Sequence, residues 1–243
     1  MGAVLFGGQR AYGQEPLATL PADSAVWSLR TSLDGVASFG NIERLLSTTR
    51  ASLGYVRPMF GATLSPTFVY GTVERTIPRE RDLFINLHTY YWPRNTFLGV
   101  AFGVFDKSRQ RFIEARWVAG AGVGWNAVRR PHQSLVAALA PLFESTHYRP
   151  AAEPTRQTVR FGAYVKGRHL LPGRTLWLEH ETFLLPSLER HLDYRWRSTL
   201  VLSCPITQGF SLRLTLDETY ERLPAADTLP NDLRTQVGIA YAR

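Results

Sequence analysis

The sequence predicts an all-β protein, a single antiparallel up-and-down transmembrane β-barrel of about 12 strands. Three observations predict it. From Val26 onward the chain divides into segments of about 11 to 17 residues, whereas strands of water-borne domains are usually about 5 or 6 residues long. Within most segments apolar and polar residues alternate with period two, and none has the amphipathic period of a helix. Tight turns alternate with longer polar joints along much of the chain, the asymmetry of outer-membrane barrels, which puts both termini on the short-turn, periplasmic side.

The segments run approximately over 26–38, 43–56, 61–74, 81–92, 96–106, 111–127, 134–145, 156–168, 174–186, 191–204, 209–221 and 231–242. "RPMFG" near 57 separates the second from the third, and the polar "TVERTIPRER" near 72 separates the third from the fourth. The fourth sets Leu83, Ile85, Leu87 and Tyr91 against Asn86 and His88. "PRN" at 93 leads into the fifth, whose "FLGVAFGVF" is apolar on both faces and breaks the rule. The sixth sets Ile113, Ala115, Trp117, Ala119, Val123 and Trp125 against Glu114, Arg116, three glycines and Asn126. "RRPHQ" at 129, "STHYRPAAEPTR" near 145 and "LLPG" at 170 bound the seventh and eighth. The tenth opposes Tyr194, Trp196, Leu200 and Leu202 to Arg195, Arg197, Thr199 and Ser203. After "PITQG", the eleventh opposes Leu212, Leu214, Leu216 and Tyr220 to Arg213, Thr215, Asp217 and Thr219, and "ERLPAADTLPND" leads to the last. Two joints, near 40 and 107, are shorter than the asymmetry asks.

In a membrane barrel the apolar phase meets lipid and the polar phase lines the lumen. The predicted lumen then holds Arg116, Arg160, Lys166, Arg195, Arg197 and Arg213 facing Glu114, Glu179, Glu181 and Asp217. Such a lumen is either a narrow path or binding cavity for small anions, or simply an interior filled by paired charges. Trp92, Trp125, Trp177, Trp196 and Tyr220 fall mostly toward segment ends, where interfacial girdles sit. The competing reading is a soluble β-barrel ligand binder with the alternation turned inward.

The net charge of +8 comes from scattered arginines rather than a basic run, so nucleic acid is not an expected partner. Outer-membrane lipids, lipopolysaccharide phosphates and small anionic solutes are. The single Cys204 excludes an intramolecular disulfide framework. Residues 1–25, beginning "MGAVLFGGQRAYGQEP", read as part of a signal peptide or as a periplasmic or plug segment, and 26–243 as the barrel.

"HLDYRWRSTLVLSCPITQGFSLRLTLDETYERLP…ND…VGIAYAR" resembles the closing strands of the salt-induced outer-membrane protein family. The similarity extends through "GNIERLLSTTRASLGY", "RDLFINLHTYYW" and "WVAGAGVGW", from about Gly40 onward. The resemblance implies a bacterial outer-membrane barrel of Gram-negative type with a domain of unknown function, and carries no catalytic residue. It also implies that the barrel assembly machinery reads the last strand, where Gly238 and Tyr241 match the pattern and Arg243 replaces the terminal aromatic.

No phosphate loop, zinc-spaced cluster or serine elbow occurs, so no cofactor or metal is expected. The six histidines are scattered. One pair could carry chemistry: a tight hairpin around 186–190 would set His180 nearly opposite Ser198 on the lipid-facing phase, as a barrel lipid hydrolase requires. No acid to orient the histidine is evident. The function expected is therefore a structural or envelope-stress barrel with a small arginine-lined pore, the lipid hydrolase and the soluble binder being the alternatives.

Overall fold

A computed structural model describes residues 26–38, 44–73, 77–149, 155–173, 175–225 and 229–242. The N-terminal segment 1–25, read above as a signal or plug, and Arg243 lie outside them. Twelve strands follow in chain order: β1 (Val26–Ser38), β2 (Arg44–Val56), β3 (Phe60–Val73), β4 (Ile77–Tyr91), β5 (Phe97–Ser108), β6 (Ile113–Arg130), β7 (Gln133–Tyr148), β8 (Arg156–Leu170), β9 (Trp177–Pro186), β10 (Tyr194–Thr207), β11 (Phe210–Glu221) and β12 (Asn231–Ala242). Each pairs antiparallel with its sequence neighbours, and β1 pairs with β12 to close the barrel. The seam pairs Arg30–Gly35 with Val237–Ala242, so neither end strand is left as a free edge along its whole length.

With an even number of strands, β1 begins and β12 ends on the same rim. That rim carries the connections 57–59, 92–96, 131–132, 171–176 and 208–209, and the other carries 39–43, 74–76, 109–112, 149–155, 187–193 and 222–230. The three longest connections lie on the second rim. In the two-residue turn 208–209, Gly209 adopts φ 84°, a conformation that only glycine takes without strain. The polar stretch near 72, expected as a long loop, is mostly strand: β3 runs to Val73 and β4 starts at Ile77, leaving 74–76 outside the described residues.

The two faces are inverted relative to a water-borne protein. Trp27, Leu33, Phe97, Val123 and Leu233 are each at least 60% exposed on the outer face, while Arg160, Gln236, Glu144 and Asp34 are almost fully buried inside. A soluble fold hides its large apolar side chains and almost never its unpaired charges. The alternative of a soluble barrel with its apolar phase inward thus has the wrong hand of pleat, because each strand turns Leu and Trp outward and Arg and Glu inward.

The inner wall is not uniform. "FLGVAFGVF" turns Leu98, Val100, Phe102 and Val104 inward, where the first three pack with Val118, Ala138, Ala140, Leu142 and Tyr164. Val104, Tyr90, Phe183 and Leu185 complete this apolar cluster inside the barrel. The segment that broke the alternation therefore has one face on the outside of the barrel and the other in an internal core.

Candidate functional site

The lumen is where the barrel gathers its charged side chains, and ion pairs hold it together at several levels. Near the rim with the longer loops, Glu144 on β7 accepts from Arg160 Nε on β8 at 2.7 Å and from Arg195 Nη1 on β10 at 3.1 Å. Thr146 Oγ1 donates to Glu144 at 3.1 Å and accepts from Arg116 Nε at 3.0 Å. Arg160 also donates to Asp193 at 3.0 Å, and Arg111 to both oxygens of Asp106 at 2.8 and 3.0 Å. Arg116 Nη2 on β6 reaches Glu221 on β11, nearly across the ring, at 2.7 Å.

Farther along the wall, Arg50 on β2 bridges Asp34 on β1 and Asp217 on β11. Gln236 donates to Thr48 at 2.7 Å, and Thr199 to Asp217 at 2.7 Å. Toward the shorter-turn rim, Arg30 on β1 donates to Glu179 on β9 at 2.8 and 3.1 Å, and Arg168 Nε lies 3.2 Å from the same carboxylate. Lys166 lies 3.6 Å from Glu181, which also accepts from Tyr164. Arg234 on β12 sits among Asp232, Glu80 and Asp82 at 2.7, 3.6 and 3.8 Å. Burying charge is tolerable only when each ion is paired and its remaining donors and acceptors are met.

Arginine and aromatic side chains also meet across the lumen. The Arg197 guanidinium on β10 lies 3.6 Å from the ring centre of Phe84 on β4, and these strands stand diametrically opposite. His88 on β4 packs edge-on against Phe102, Tyr164 and Phe183 at 5.2 to 5.8 Å. A ring of 12 strands stands between the filled barrels of about 8 and the open channels of about 16. Here side chains from opposite walls touch, so the lumen is occupied rather than open along its length.

Of the residues read as lining the lumen, Arg116, Arg160, Lys166, Arg195, Arg197, Arg213, Glu179, Glu181 and Asp217 point inward. Glu114 does not. A bulge between Ile113 and Ala115 shifts the phase, leaving Glu114 half exposed on the outer face beside Lys107 at 2.6 Å. The sequence reading omitted Asp34, Arg30, Arg50, Glu144, Glu221 and Gln236, although their place in the alternation would have found most of them.

Ser198 and His180 both face outward but are not opposite one another. The hairpin turn spans 187–193, longer than a tight turn, which sets Ser198 against Thr182 and His180 against Leu200. Ser198 Oγ lies 3.0 Å from Thr182 Oγ1, and His180 Nε2 lies 3.2 Å from His169 Nε2 on β8. The imidazole centres are 5.4 Å apart with planes at 6°, so the rings meet nearly head-on through a hydrogen bond. Gly167, opposite His180, leaves the space that the two rings occupy. The base is engaged with another histidine, and the hydroxyl with another hydroxyl.

At the closing seam Gly238 pairs with Asp34 and Tyr241 with Thr31. Tyr241 faces outward against Phe210, ring centres 5.0 Å apart.

Residues 82–242 match a family described as "Protein of unknown function, DUF481". No curated protein matches the chain. Among solved structures, the NanC porin is 9% identical, covers 89% of this chain and 99% of its own, and superposes with a TM-score of 0.50. An outer membrane channel from Pseudomonas putida F1 is 10% identical, covers 93% of this chain and 98% of its own, with a TM-score of 0.51. At these identities the likeness is one of fold: an outer-membrane β-barrel.

Proposed function

From the premise that the chain belongs to the DUF481 family, we propose that it is an integral outer-membrane protein of the Gram-negative envelope, structural or stress-related, with a lumen that passes small anions at most. One observation carries this reading. The barrel turns its large apolar side chains outward and pairs its charges inside, the arrangement that hydrocarbon outside and polar groups within would stabilise. Lipid, lipopolysaccharide and the barrel assembly machinery are the partners this location supplies. The salt-induced role follows the sequence resemblance alone and is a separate part of the proposal.

The lumen supports a narrow path rather than a wide one, since Arg116 to Glu221, Arg30 to Glu179 and Arg197 to Phe84 each join distant strands across it. Arginines along the walls would favour anions in whatever path remains. A lipid hydrolase would need Ser198 in reach of His180, and the cross-strand pairing sets Ser198 beside Thr182 and His180 Nε2 beside His169 instead.

Washed membranes extracted with detergent test the location. A band that stays with the outer membrane and runs faster unboiled than boiled is expected, and a protein recovered in the soluble fraction without a shift would overturn it. Planar-bilayer recording tests the lumen. Steps far below those of wide, ~16-stranded porins are expected, with anion preference. Porin-sized steps would refute the narrow lumen. Growth at high salt should raise the amount of protein in outer membranes, and an unchanged amount would remove the salt-stress part.

A further inference from the structure

Among the described residues, two empty regions inside the barrel differ in chemistry. One, about 550 Å³ of empty space including the solvent it opens to, is lined by Arg50, Asp217, Asp82, Asp232, Arg234 and neighbouring hydroxyls. The other, about 770 Å³ on the same basis, is walled mainly by Phe102, Val104, Val118, Leu142, Phe183 and Leu185. They meet at Phe84, Asp106, Arg111, Arg197 and Thr219, which line both.

Arg197 is the unusual group at that junction. Among the described residues no carboxylate oxygen lies within 4.0 Å of its guanidinium, which rests on the Phe84 ring. The nearby acids are committed elsewhere: both oxygens of Asp106 accept from Arg111, and Asp217 is held by Arg50 and Thr199. The other arginines at the apolar cavity, Arg111, Arg116 and Arg195, are held by Asp106, Glu221 and Glu144. Among the described residues a cation thus stands beside an apolar chamber with no carboxylate bonded to it, its nearest acids, Asp106 and Asp217, being held by other groups.

We propose that this cavity binds a monoanion with a short apolar tail, an alkyl carboxylate, with its head on Arg197 and its tail among Phe102, Val104, Val118, Leu142 and Phe183. A fully hydrated anion would lose water against the apolar wall with nothing in return, and a neutral alkane would leave Arg197 without an anion. A cationic amphiphile would face the guanidinium of Arg197, while the acids beside it are already held by Arg111, Arg116 and Arg195. The carboxylate takes up charge-assisted hydrogen bonds from the guanidinium, the geometry for which arginine is suited. Buried apolar walls with a few placed polar groups are the usual form of a small-molecule site.

The inference rests on the proposed bilayer-spanning barrel, and the test separates the two. The protein is reconstituted in lipid nanodiscs, its closed state is checked by the gel mobility shift, and octanoate is titrated calorimetrically with empty nanodiscs as the blank. Saturable octanoate heat is expected from the wild type. Octanol should bind about tenfold more weakly, and Arg197→Gln should lower octanoate affinity about tenfold, the scale of one charge-assisted hydrogen bond. Octyltrimethylammonium should give no heat above the blank. Val104→Trp, which fills the apolar chamber, should abolish octanoate binding with the mobility shift intact. A shift with no saturable octanoate heat overturns the site alone, as does octanoate affinity unchanged by Arg197→Gln or by Val104→Trp. Octyltrimethylammonium binding as well as octanoate also overturns it. Loss of the shift in the wild type overturns the barrel reading itself.

Discussion

Glu144 shows how a single residue can organise the lumen. It is 1% exposed, accepts hydrogen bonds from Arg160, Arg195 and Thr146, and has Arg116 Nε at 3.7 Å. Replacing it by Ala leaves these guanidinium groups without their shared counter-ion, and removing one partner of a buried pair typically costs about 3–5 kcal/mol. Glu144→Ala is expected to lower the urea unfolding midpoint of the bilayer-reconstituted protein by that scale, read by tryptophan fluorescence. Glu114→Ala should leave the midpoint unchanged, because Glu114 meets Lys107 at the rim beside the 109–112 connection, where both are half exposed to solvent. An equal drop in both variants would contradict the two-faced assignment. The contrast also marks what alternation can reveal. Parity alone places Glu114 with Arg116, and only the extra residue at the Ile113/Ala115 bulge separates them, a local feature with no fixed sequence mark.

At the scale of the element, the closing seam has the tightest requirement. A Cβ at Gly238 would run into Asp34 and the Leu33 carbonyl, with the Asp34 Cα at 2.6 Å. Gly238→Val is therefore expected to reduce sharply the share of protein that runs as the fast, unboiled band. Gly35→Ala on the facing strand would meet only the Leu46 carbonyl oxygen at 3.4 Å, an ordinary contact, and should retain the band. If Gly238→Val closes as readily as the parent, the seam tolerates spreading and the steric argument fails. Gly238, which resembles part of an assembly signal by its place in the last strand, also has a packing reason at the seam. Strand count and most strand positions were legible because length and alternation record which face of the pleat each side chain takes. Register was less so. The hairpin from β9 to β10 turns over 187–193, and that displacement alone moves His180 from opposite Ser198 to opposite Leu200. Nor could period two say which distant strand a lumen side chain meets, so the pairing of Arg116 with Glu221 and of Arg30 with Glu179 needed the closed ring.

For the whole molecule, the question is which medium the outer face meets, and adjacent residues on one strand can ask it. Leu64 on β3 faces outward between Leu53 and Leu87, while Ser65 faces inward, 3.1 Å from Ser52 Oγ. If hydrocarbon surrounds the barrel, a lysine at 64 must carry its ammonium through an apolar medium or bend toward the interface. A lysine at 65 enters a polar lumen already populated by paired charges. Charge on the lipid face near mid-membrane costs about 2–4 kcal/mol and the penalty falls toward either interface, so Leu64→Lys is expected to cost about 2 kcal/mol. Ser65→Lys should cost clearly less, and both are read as shifts in the urea midpoint of the reconstituted protein. A water-borne barrel would reverse the order, because lysine at 64 would be solvated and lysine at 65 would be buried. The sign of the difference between the two variants therefore tests the inside-out organisation directly, independently of whether the lumen conducts or binds an anion.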